Sequence, residues 1–437
     1  MKTQRLLTRN TSASVRDFDG CWPELLHRRS VQRAVIALTM AASATFAFAG
    51  PVRSVGSMAF ADANTVVIAD WRSGEIHAVR LPVASDAPAK PFNLKDVSSL
   101  VSHALGVQPY VVRFEDMAFR PGTELAYVTV SVDRGGKAPS PGLVSIDSAG
   151  KVQVFDLAKL PHTSAAIKDV PDTDKRLWRD VPEAAYTVTD MVFYEGKLYV
   201  AGLSNASFAS TLRVFDFPFT GSTTSTSIEM YHAVHNELET RAPIRKMVVV
   251  RLNGEPSLVA AYTCTPLVTI PLKELRDGAH VVGKTIAELG WGSAPVDMVT
   301  FDAGQGPVVL LANSHKAADL MAVDSIAQAS TKPGLATPIK WPSEPLLGLK
   351  STPIPIAGIA QLANQDKDFL AALRRNAGSG AMELVSIRKG AFLRLSDFVN
   401  EYDFADFTYQ PNDGFRDVHR VLRGDEGYPD LAARAAP

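Results

Sequence analysis

Cysteine is nearly absent from this chain, and its scarcity limits how the fold can be stabilised. The 437 residues include only two cysteines, and Cys21 lies in an N-terminal segment that we expect to be removed. The mature chain would then keep Cys264 alone, which excludes an intrachain disulfide. The stability of the fold must therefore come from its hydrophobic core and from ring closure. A lone thiol in an oxidising compartment should be either buried or part of a functional site.

The chain also lacks an excess of charge of either sign. Its net charge is −1, with 21% charged and 46% apolar residues, which is an ordinary globular composition. A balanced chain has no electrostatic basis for binding nucleic acid or an anionic membrane surface. We therefore predict no nucleic-acid partner.

The motifs that define several enzyme classes are missing from the sequence. There is no G-x-S-x-G, H-E-x-x-H, P-loop, dinucleotide-binding or C-x-x-C-H pattern. We therefore assign no catalytic residues from the sequence, and whether the protein is an enzyme stays open.

Long apolar runs are absent after residue 49, so no membrane span is predicted in the mature chain. Before that point, Arg28, Arg29 and Arg33 precede the uncharged run Ala34–Ala49, which ends in the A-x-A pattern of a cleavage site. This order predicts a signal peptide over residues 1–49 and a periplasmic or secreted protein. The alternative is an uncleaved anchor, and the paired arginines leave open whether export is general or twin-arginine.

What the sequence does contain is a short pattern that returns along the chain. A small, acidic or other polar residue precedes an apolar residue and then two or three residues of strand character, at intervals of about 50–60 residues. The clear copies begin at Ser57, Asp116, Asp190 and Asp297, and looser copies begin at Lys246, Gly358 and Asp406. Strand-rich units at this spacing predict an all-β fold, a single β-propeller.

The strand patterns predict six complete four-stranded blades within residues 50–412, followed by a tail or ring-closing segment over residues 413–437. A seventh blade around Phe404–Tyr409 is the alternative. We expect Lys90–Leu94 and Pro338–Trp341 to be the fourth strands of the first and fifth blades. Helical periodicity is nearly absent, with short exceptions at Val97–Leu105 and Ile326–Ser330.

Two long insertions interrupt the repeat and are expected to be loops. They are Lys159–Pro182, between the second and third blades, and the proline-rich Trp341–Pro355, between the fifth and sixth. Loops of this size on a rigid scaffold are often binding sites.

The D-M-x-F strands and the turn Asp70–Gly74 resemble the WD40/YVTN-like repeats of bacterial exported propellers. This group includes NHL, YVTN and quinohaemoprotein amine dehydrogenase-type repeats. The resemblance covers most of the mature chain and implies the propeller fold, with a metal or substrate at the mouth of the channel as in catalytic members. It implies no particular reaction, because propellers host enzymes, docking surfaces and scaffolds.

The acidic residues of the repeat are the first candidate site. Equivalent positions on the innermost strands should converge on the channel mouth, where several carboxylates need a compensating cation. A Ca²⁺ site or an acid/base site would follow; the alternative is that each Asp bonds backbone amides and holds neighbouring blades together. The candidates are Glu115, Asp116, Asp190, Asp297 and Asp406.

The second candidate is a metal site. His232 and His235 stand three residues apart with Glu237 and Glu239 nearby, and Cys264 ends the second strand of the next blade. Two imidazoles, a carboxylate and a thiolate suit copper or zinc. We expect His232, His235, Glu239 and Cys264 to meet; the alternatives are a hydrogen-bonded polar loop and a buried, inert cysteine.

A third set lies at the turns that follow the second strands of several blades. These equivalent turns should face one end of the ring and form a binding rim, unless they are ordinary turn chemistry. The rim candidates are Trp71, Arg72, Asn205, Asn313 and His315.

Taken together, these patterns predict an exported propeller that acts as a binding module. It would hold a periplasmic protein partner or a metal ion (copper, zinc or calcium) at the channel mouth, as an accessory to a redox system. The alternative is a metal-dependent propeller enzyme, either a lactonase-like hydrolase or an oxidoreductase component.

Overall fold

The computed structural model describes residues 50–389, except 85–89, 136–137, 178–179, 291–292, 305 and 341–342, and also Asp406 and Thr408. The predicted signal peptide and the predicted tail lie outside the described residues. So does most of Phe404–Tyr409, the segment expected to start a seventh blade.

The described part of the chain is mostly β-strand, with two α-helices. These are α1 (Val97–Leu105) and α2 (Val323–Thr331), close to the two short helical segments that the sequence predicts. Helix α1 begins at Asp96, whose carboxylate accepts the N–H of Ser99 at 2.9 Å, and it ends at Gly106, whose φ of 65° only glycine adopts without strain.

Four separate four-stranded sheets account for sixteen of the strands. The first sheet is β1 (Met58–Asp62), β2 (Thr65–Asp70), β3 (Glu75–Arg80) and β9 (His162–Ala166), and the second is β5 (Val112–Phe119), β6 (Ala126–Val132), β7 (Ser140–Ile146) and β8 (Val152–Phe155). The third is β19 (Pro295–Asp302), β20 (Pro307–Asn313), β21 (Ala318–Ala322) and β23 (Thr352–Ile354), and the fourth is β24 (Ile359–Asn364), β25 (Phe369–Arg375), β26 (Met382–Arg388) and β4 (Asn93–Leu94).

The remaining strands form one ten-stranded sheet made of two antiparallel meanders. One meander is β10 (Asp190–Tyr194), β11 (Lys197–Leu203), β12 (Ser210–Asp216) and β13 (Thr223–His232); the other is β15 (Ile244–Leu252), β16 (Glu255–Tyr262), β17 (Pro266–Pro271) and β18 (His280–Glu288). Their last strands, β13 and β18, pair in parallel. The short strands β14 (Glu237–Glu239) and β22 (Leu347–Gly348) pair with β13 and β18.

The first strands of the sheets and meanders contact one another in a closed cycle. Going round, the order is β1, β5, β24, β19, β15, β10 and back to β1. This gives a propeller-like ring. The prediction of six separate four-stranded blades is wrong in its count, because the structure has four such sheets and one ten-stranded sheet. The cause is the parallel pairing of β13 with β18, which joins two units at their outer edges.

Two outer strands are exchanged relative to the sequence prediction. Lys90–Leu94 was expected to complete the first sheet, but β4 pairs with β26, with Leu94 opposite Leu384. The first sheet is completed by β9, which lies in the predicted loop Lys159–Pro182. An early segment therefore closes the last sheet, and the chain returns to the first sheet only after building the second.

The third sheet differs from the prediction in the same way. Its outer strand is β23, which lies in the predicted loop Trp341–Pro355, and not Pro338–Trp341. Helix α2 fills the connection directly after β21, with Val323 and Ile326 buried. The predicted outer strand of the sixth blade, Phe392–Leu395, lies outside the described residues.

Candidate functional site

Six equivalent residues stand where the first strands begin, at the channel mouth. Each precedes a buried apolar residue, and each is at least nine-tenths buried. In ring order they are Ser57, Asp116, Gln361, Asp297, Lys246 and Asp190. In the last sheet this position is Gln361, three residues after the Gly358 that the sequence pattern indicated. The structure thus brings three of the four predicted aspartates to one level and adds a serine, a glutamine and a lysine; we call these six residues the floor ring.

Each aspartate of the floor ring accepts a backbone N–H from a neighbouring first strand. This is the inter-strand role that the sequence left as the alternative to a cation site, and it fixes the register between neighbours. The bonds run from Met58 N to Asp116 Oδ2 (2.7 Å), from Met247 N to Asp190 Oδ2 (2.8 Å) and from Leu362 N to Asp297 Oδ2 (2.6 Å).

Lys246 supplies the positive charge among these carboxylates. Its Nζ lies 3.2 Å from Asp190 Oδ1 and 3.6 Å from Asp297 Oδ1. Burial opposes the charged ammonium, but the aspartates outweigh it and raise the pKa of Lys246. Burial raises the pKa of Asp190 and raises the pKa of Asp297 to about 7. The positive charge of Lys246 opposes both shifts. Lys246 thus supplies positive charge among these carboxylates, and a calcium site here stays a prediction.

Sequence reasoning noted the repeat copy at Lys246 but gave the lysine no role. The signal was its position, since a basic residue where three other repeats carry Asp is the partner that those carboxylates require. The remaining two candidates lie apart from the ion pairs: Asp406 is exposed in a turn, and the Glu115 carboxylate pairs with Arg113 at 2.6 Å.

Three of the four predicted metal-binding residues meet at the end of β13. This strand ends at His232, a tight turn containing Asn236 at φ 55° follows, and β14 returns antiparallel with Glu237 opposite His232. The return brings Glu239 back beside both histidines. One ligand atom from each of His232, His235 and Glu239 lies within 4.8 Å of the others, and we call these three residues the His–His–Glu cluster.

The contacts inside the cluster converge on one oxygen. His232 Nδ1 lies 3.0 Å from Glu239 Oε1, and His235 Nδ1 also contacts that oxygen. The two imidazole centroids are 4.1 Å apart. The His232 side chain is 1% exposed, Glu239 17% and His235 51%, so the cluster is anchored inside the protein and open to solvent on one side.

The other nitrogen of His232 is held by a buried chain of polar groups. Nε2 lies 3.2 Å from Thr265 Oγ1, and that hydroxyl donates to Glu288. Glu288 also accepts the N–H of Ala233 at 2.6 Å. Burial lowers the pKa of His232, but the interactions with Cys264 and Glu239 outweigh it and raise the pKa to about 10.

Cys264 lies in the turn between β16 and β17, next to this chain of groups. The interaction with His232 lowers the pKa of its thiol, against the opposing effect of burial. Its backbone has φ of 125°, a region that side-chain-bearing residues rarely adopt. The structure thus brings three of the four predicted residues together, and the Cys264 sulfur lies outside the group of ligand atoms within 4.8 Å of one another, although its thiol interacts with His232.

The rim candidates fall into three groups. Trp71 and Arg72 adjoin one another at the channel mouth, with the Arg72 guanidinium 4.4 Å from the indole centroid. Asn313 is buried and donates to Asp319 at 2.9 Å, which is a structural contact. Asn205 and His315 are exposed on turns.

Comparisons with known proteins leave the function open. No family model and no curated protein matches the sequence. Among solved structures, hydrazine synthase of Kuenenia stuttgartiensis is 13% identical with a TM-score of 0.34, covering 78% of this chain and 95% of that one. A Bacteroides thetaiotaomicron protein of unknown function is 9% identical with a TM-score of 0.29, covering 78% and 71%. Likenesses at these scores carry no argument about activity.

No helix in the described part of the chain is long and apolar enough to cross a membrane.

Proposed function

We propose that this protein is an exported binding module that holds one transition-metal ion, Zn²⁺ or Cu²⁺, at the His–His–Glu cluster. The observation that carries the proposal is the convergence of ligand atoms from His232, His235 and Glu239 within 4.8 Å of one another. Imidazole and carboxylate ligands bind zinc at about 2.0–2.2 Å, so ligand atoms a few ångströms apart can share one ion.

The buried chain behind His232 supports this proposal. Metal-bound histidines usually use their second ring nitrogen for a hydrogen bond that fixes the tautomer and the ring orientation. Here Thr265, backed by Glu288, holds Nε2 and leaves Nδ1 directed at the cluster.

The donor set also suits a transition metal. Two imidazoles and one carboxylate favour zinc or copper over calcium, which takes oxygen ligands. The thiol of Cys264 interacts with His232, which lowers the pKa of the thiol, but its sulfur lies outside this group of ligand atoms. The exposed side of His235 provides the entry path.

A metal-dependent enzyme is the second candidate, and it is favoured by the open side of the cluster. Catalytic zinc sites keep three protein ligands and leave a position for water or substrate. His235 is half exposed, so a bound ion would keep such a position. Metal-dependent hydrolysis of a lactone or ester by the loaded protein would favour this candidate over the binding module.

Calorimetric titration tests the metal site. The exported protein, stripped with EDTA, is titrated with Zn²⁺ and separately with Cu²⁺, and one ion per chain is expected. His235→Ala should weaken binding at least tenfold, because it removes an exposed ligand without opening the core. The matched control is His315→Ala, which removes an exposed histidine outside the cluster. Failure of the wild type to bind either ion, or equal affinity in His235→Ala, contradicts the proposal.

A further inference from the structure

A second feature lies at the channel mouth, apart from the His–His–Glu cluster. A cavity of about 750 Å³ opens at the face where the first strands begin. Residues on or just before all six first strands line it, so the cavity is continuous with the floor ring. Its volume is within the range of small-molecule sites, about 300–1,000 Å³.

Two residues that line this cavity each carry a buried polar atom with no hydrogen-bond partner among the described residues. The atoms are Ser57 Oγ and Gln361 Oε1, and both residues are more than nine-tenths buried. The amide of Gln361 is oriented, because its Nε2 donates to the Glu115 carbonyl at 2.7 Å. Oε1 is therefore an oriented acceptor with no donor among the described residues.

The other polar members of the floor ring are already paired. Both oxygens of Asp116 accept backbone N–H groups, at 2.7 and 2.9 Å. Lys246 is held by Asp190 and Asp297. A ligand in the cavity would thus meet one fixed acceptor, Gln361, and one hydroxyl, Ser57. Hydroxyl groups satisfy both of them.

Two arginines of the cavity lining have no carboxylate partner among the described residues. The guanidinium groups of Arg72 and Arg245 form no ion pair with a described residue, whereas Arg113 is neutralised by Glu115. Unpaired arginines are the preferred partners of carboxylates, which they bind in bidentate fashion. The exposed Asp180 is the remaining acidic group of the lining.

We propose that the channel mouth binds a small hydroxylated carboxylate. Its hydroxyl groups satisfy Gln361 Oε1 and Ser57 Oγ, its carboxylate pairs with Arg72 and Arg245, and Trp71 and Tyr186 cover its apolar faces. This site does not depend on the proposed metal, because none of the cluster residues lines the cavity.

Three six-carbon probes test the proposal by calorimetry on the exported protein in EDTA, which keeps the metal site out of the measurement. Gluconate carries both features, glucitol lacks the carboxylate, and hexanoate lacks the hydroxyls. We expect gluconate to bind with a stoichiometry of one and the other two at least tenfold more weakly. Equal binding of glucitol or hexanoate, or no binding of gluconate at millimolar concentration, overturns the proposal.

Variants locate the binding. Ser57→Ala removes an oxygen that makes no bond within the described chain, so folding should be unaffected while gluconate binding falls at least tenfold. Arg245→Ala should weaken gluconate and leave glucitol unchanged. The matched control is Arg134→Ala, an exposed arginine outside the cavity. An unchanged affinity for gluconate in Ser57→Ala would show that the ligand does not bond to the Ser57 hydroxyl and that water alone occupies this position. That result overturns the proposal.

Discussion

Lys246 Nζ lies 3.2 Å from Asp190 Oδ1, and this contact joins the first strands of the two meanders in the ten-stranded sheet. Asp190 also accepts the N–H of Met247, the residue after the lysine. The carboxylate of Asp190 on β10 thus binds both a backbone N–H and a side-chain ammonium group of β15. The same carboxylate-to-backbone bond recurs at Asp116 and Asp297, so the aspartates of the floor ring tie neighbouring first strands together at three of the six junctions of the ring.

Lys246→Met should destabilise the protein by about 3–5 kcal/mol at pH 7, because it leaves buried carboxylates without their cation. The loss should be smaller at pH 5, where those carboxylates take up protons more readily. Urea unfolding at the two pH values measures this. Lys197→Met is the control, since its pair with Asp216 is about half exposed and worth at most about 1 kcal/mol. Equal effects of the two substitutions would contradict the role of Lys246.

Asp297 should make stability fall as the pH rises. Its pKa is about 7 in the folded protein against 3.8 for an unperturbed carboxyl, so the folded state binds more protons between these values. The stabilisation is therefore complete below about pH 4 and is lost as the pH rises to 7. The free energy of unfolding should fall by at most about 1.4 kcal/mol for each pH unit in this window.

Asp297→Asn removes this titration. We expect its unfolding free energy to decline less than that of the wild type between pH 4 and 7, although its value at pH 4 is lower because one acceptor of a backbone N–H is lost. Urea unfolding at pH 4, 5.5 and 7 gives the comparison, with the exposed Asp302→Asn as control. Parallel pH profiles for wild type and Asp297→Asn would disprove the raised pKa.

The sequence was sufficient to predict most individual strands but not all of their partners. Alternating apolar residues identify a strand such as β6, and the repeat identifies which strands come first. They do not say which free edge a strand joins, because backbone hydrogen bonds are the same at every edge. The two-residue strand β4 therefore could not be assigned to β26, nor could the parallel pairing of β13 with β18 be foreseen.

The sequence likewise predicted some residues of the candidate metal site and missed others. The spacing of His232, His235 and Glu239 on either side of a turn predicted a cluster, and the antiparallel run of β15 and β16 predicted where Cys264 would lie. Their role as metal ligands stays a prediction. The buried partners Thr265 and Glu288 were missed, because a single polar residue in a turn or at the end of a buried strand has no local sequence signature, and its partners come from distant parts of the chain.

Cys264 provides a test of the backbone at this site. At φ of 125° a side chain is strained by about 1–3 kcal/mol, whereas glycine is not. Cys264→Gly should therefore be more stable than Cys264→Ala by about 1 kcal/mol, the reverse of the usual order in which glycine costs about 0.4–1 kcal/mol relative to alanine. Urea unfolding of the two variants decides it, and a more stable alanine variant would rule out the strained conformation.

Gly202 in β11 packs against the backbone of Tyr186 and Thr187, and Tyr186 lines the cavity at the channel mouth. A methyl group there would overlap Thr187 O and lie 2.5 Å from its carbonyl carbon and 2.8 Å from Tyr186 O. Those atoms are backbone, and Thr187 O also accepts a bond from the buried Arg213 at 2.9 Å, so the segment cannot move without losing that bond.

Gly202→Ala should therefore cost about 3 kcal/mol or more, at the upper end of overpacking effects. It should also displace Tyr186, which lines the cavity, and so weaken the proposed gluconate binding. Gly56→Ala is the control, because its added methyl group would meet only Ala69 O at 3.9 Å. Urea unfolding of both variants tests the packing, and equal stability of the two would show that Thr187 does not press against β11.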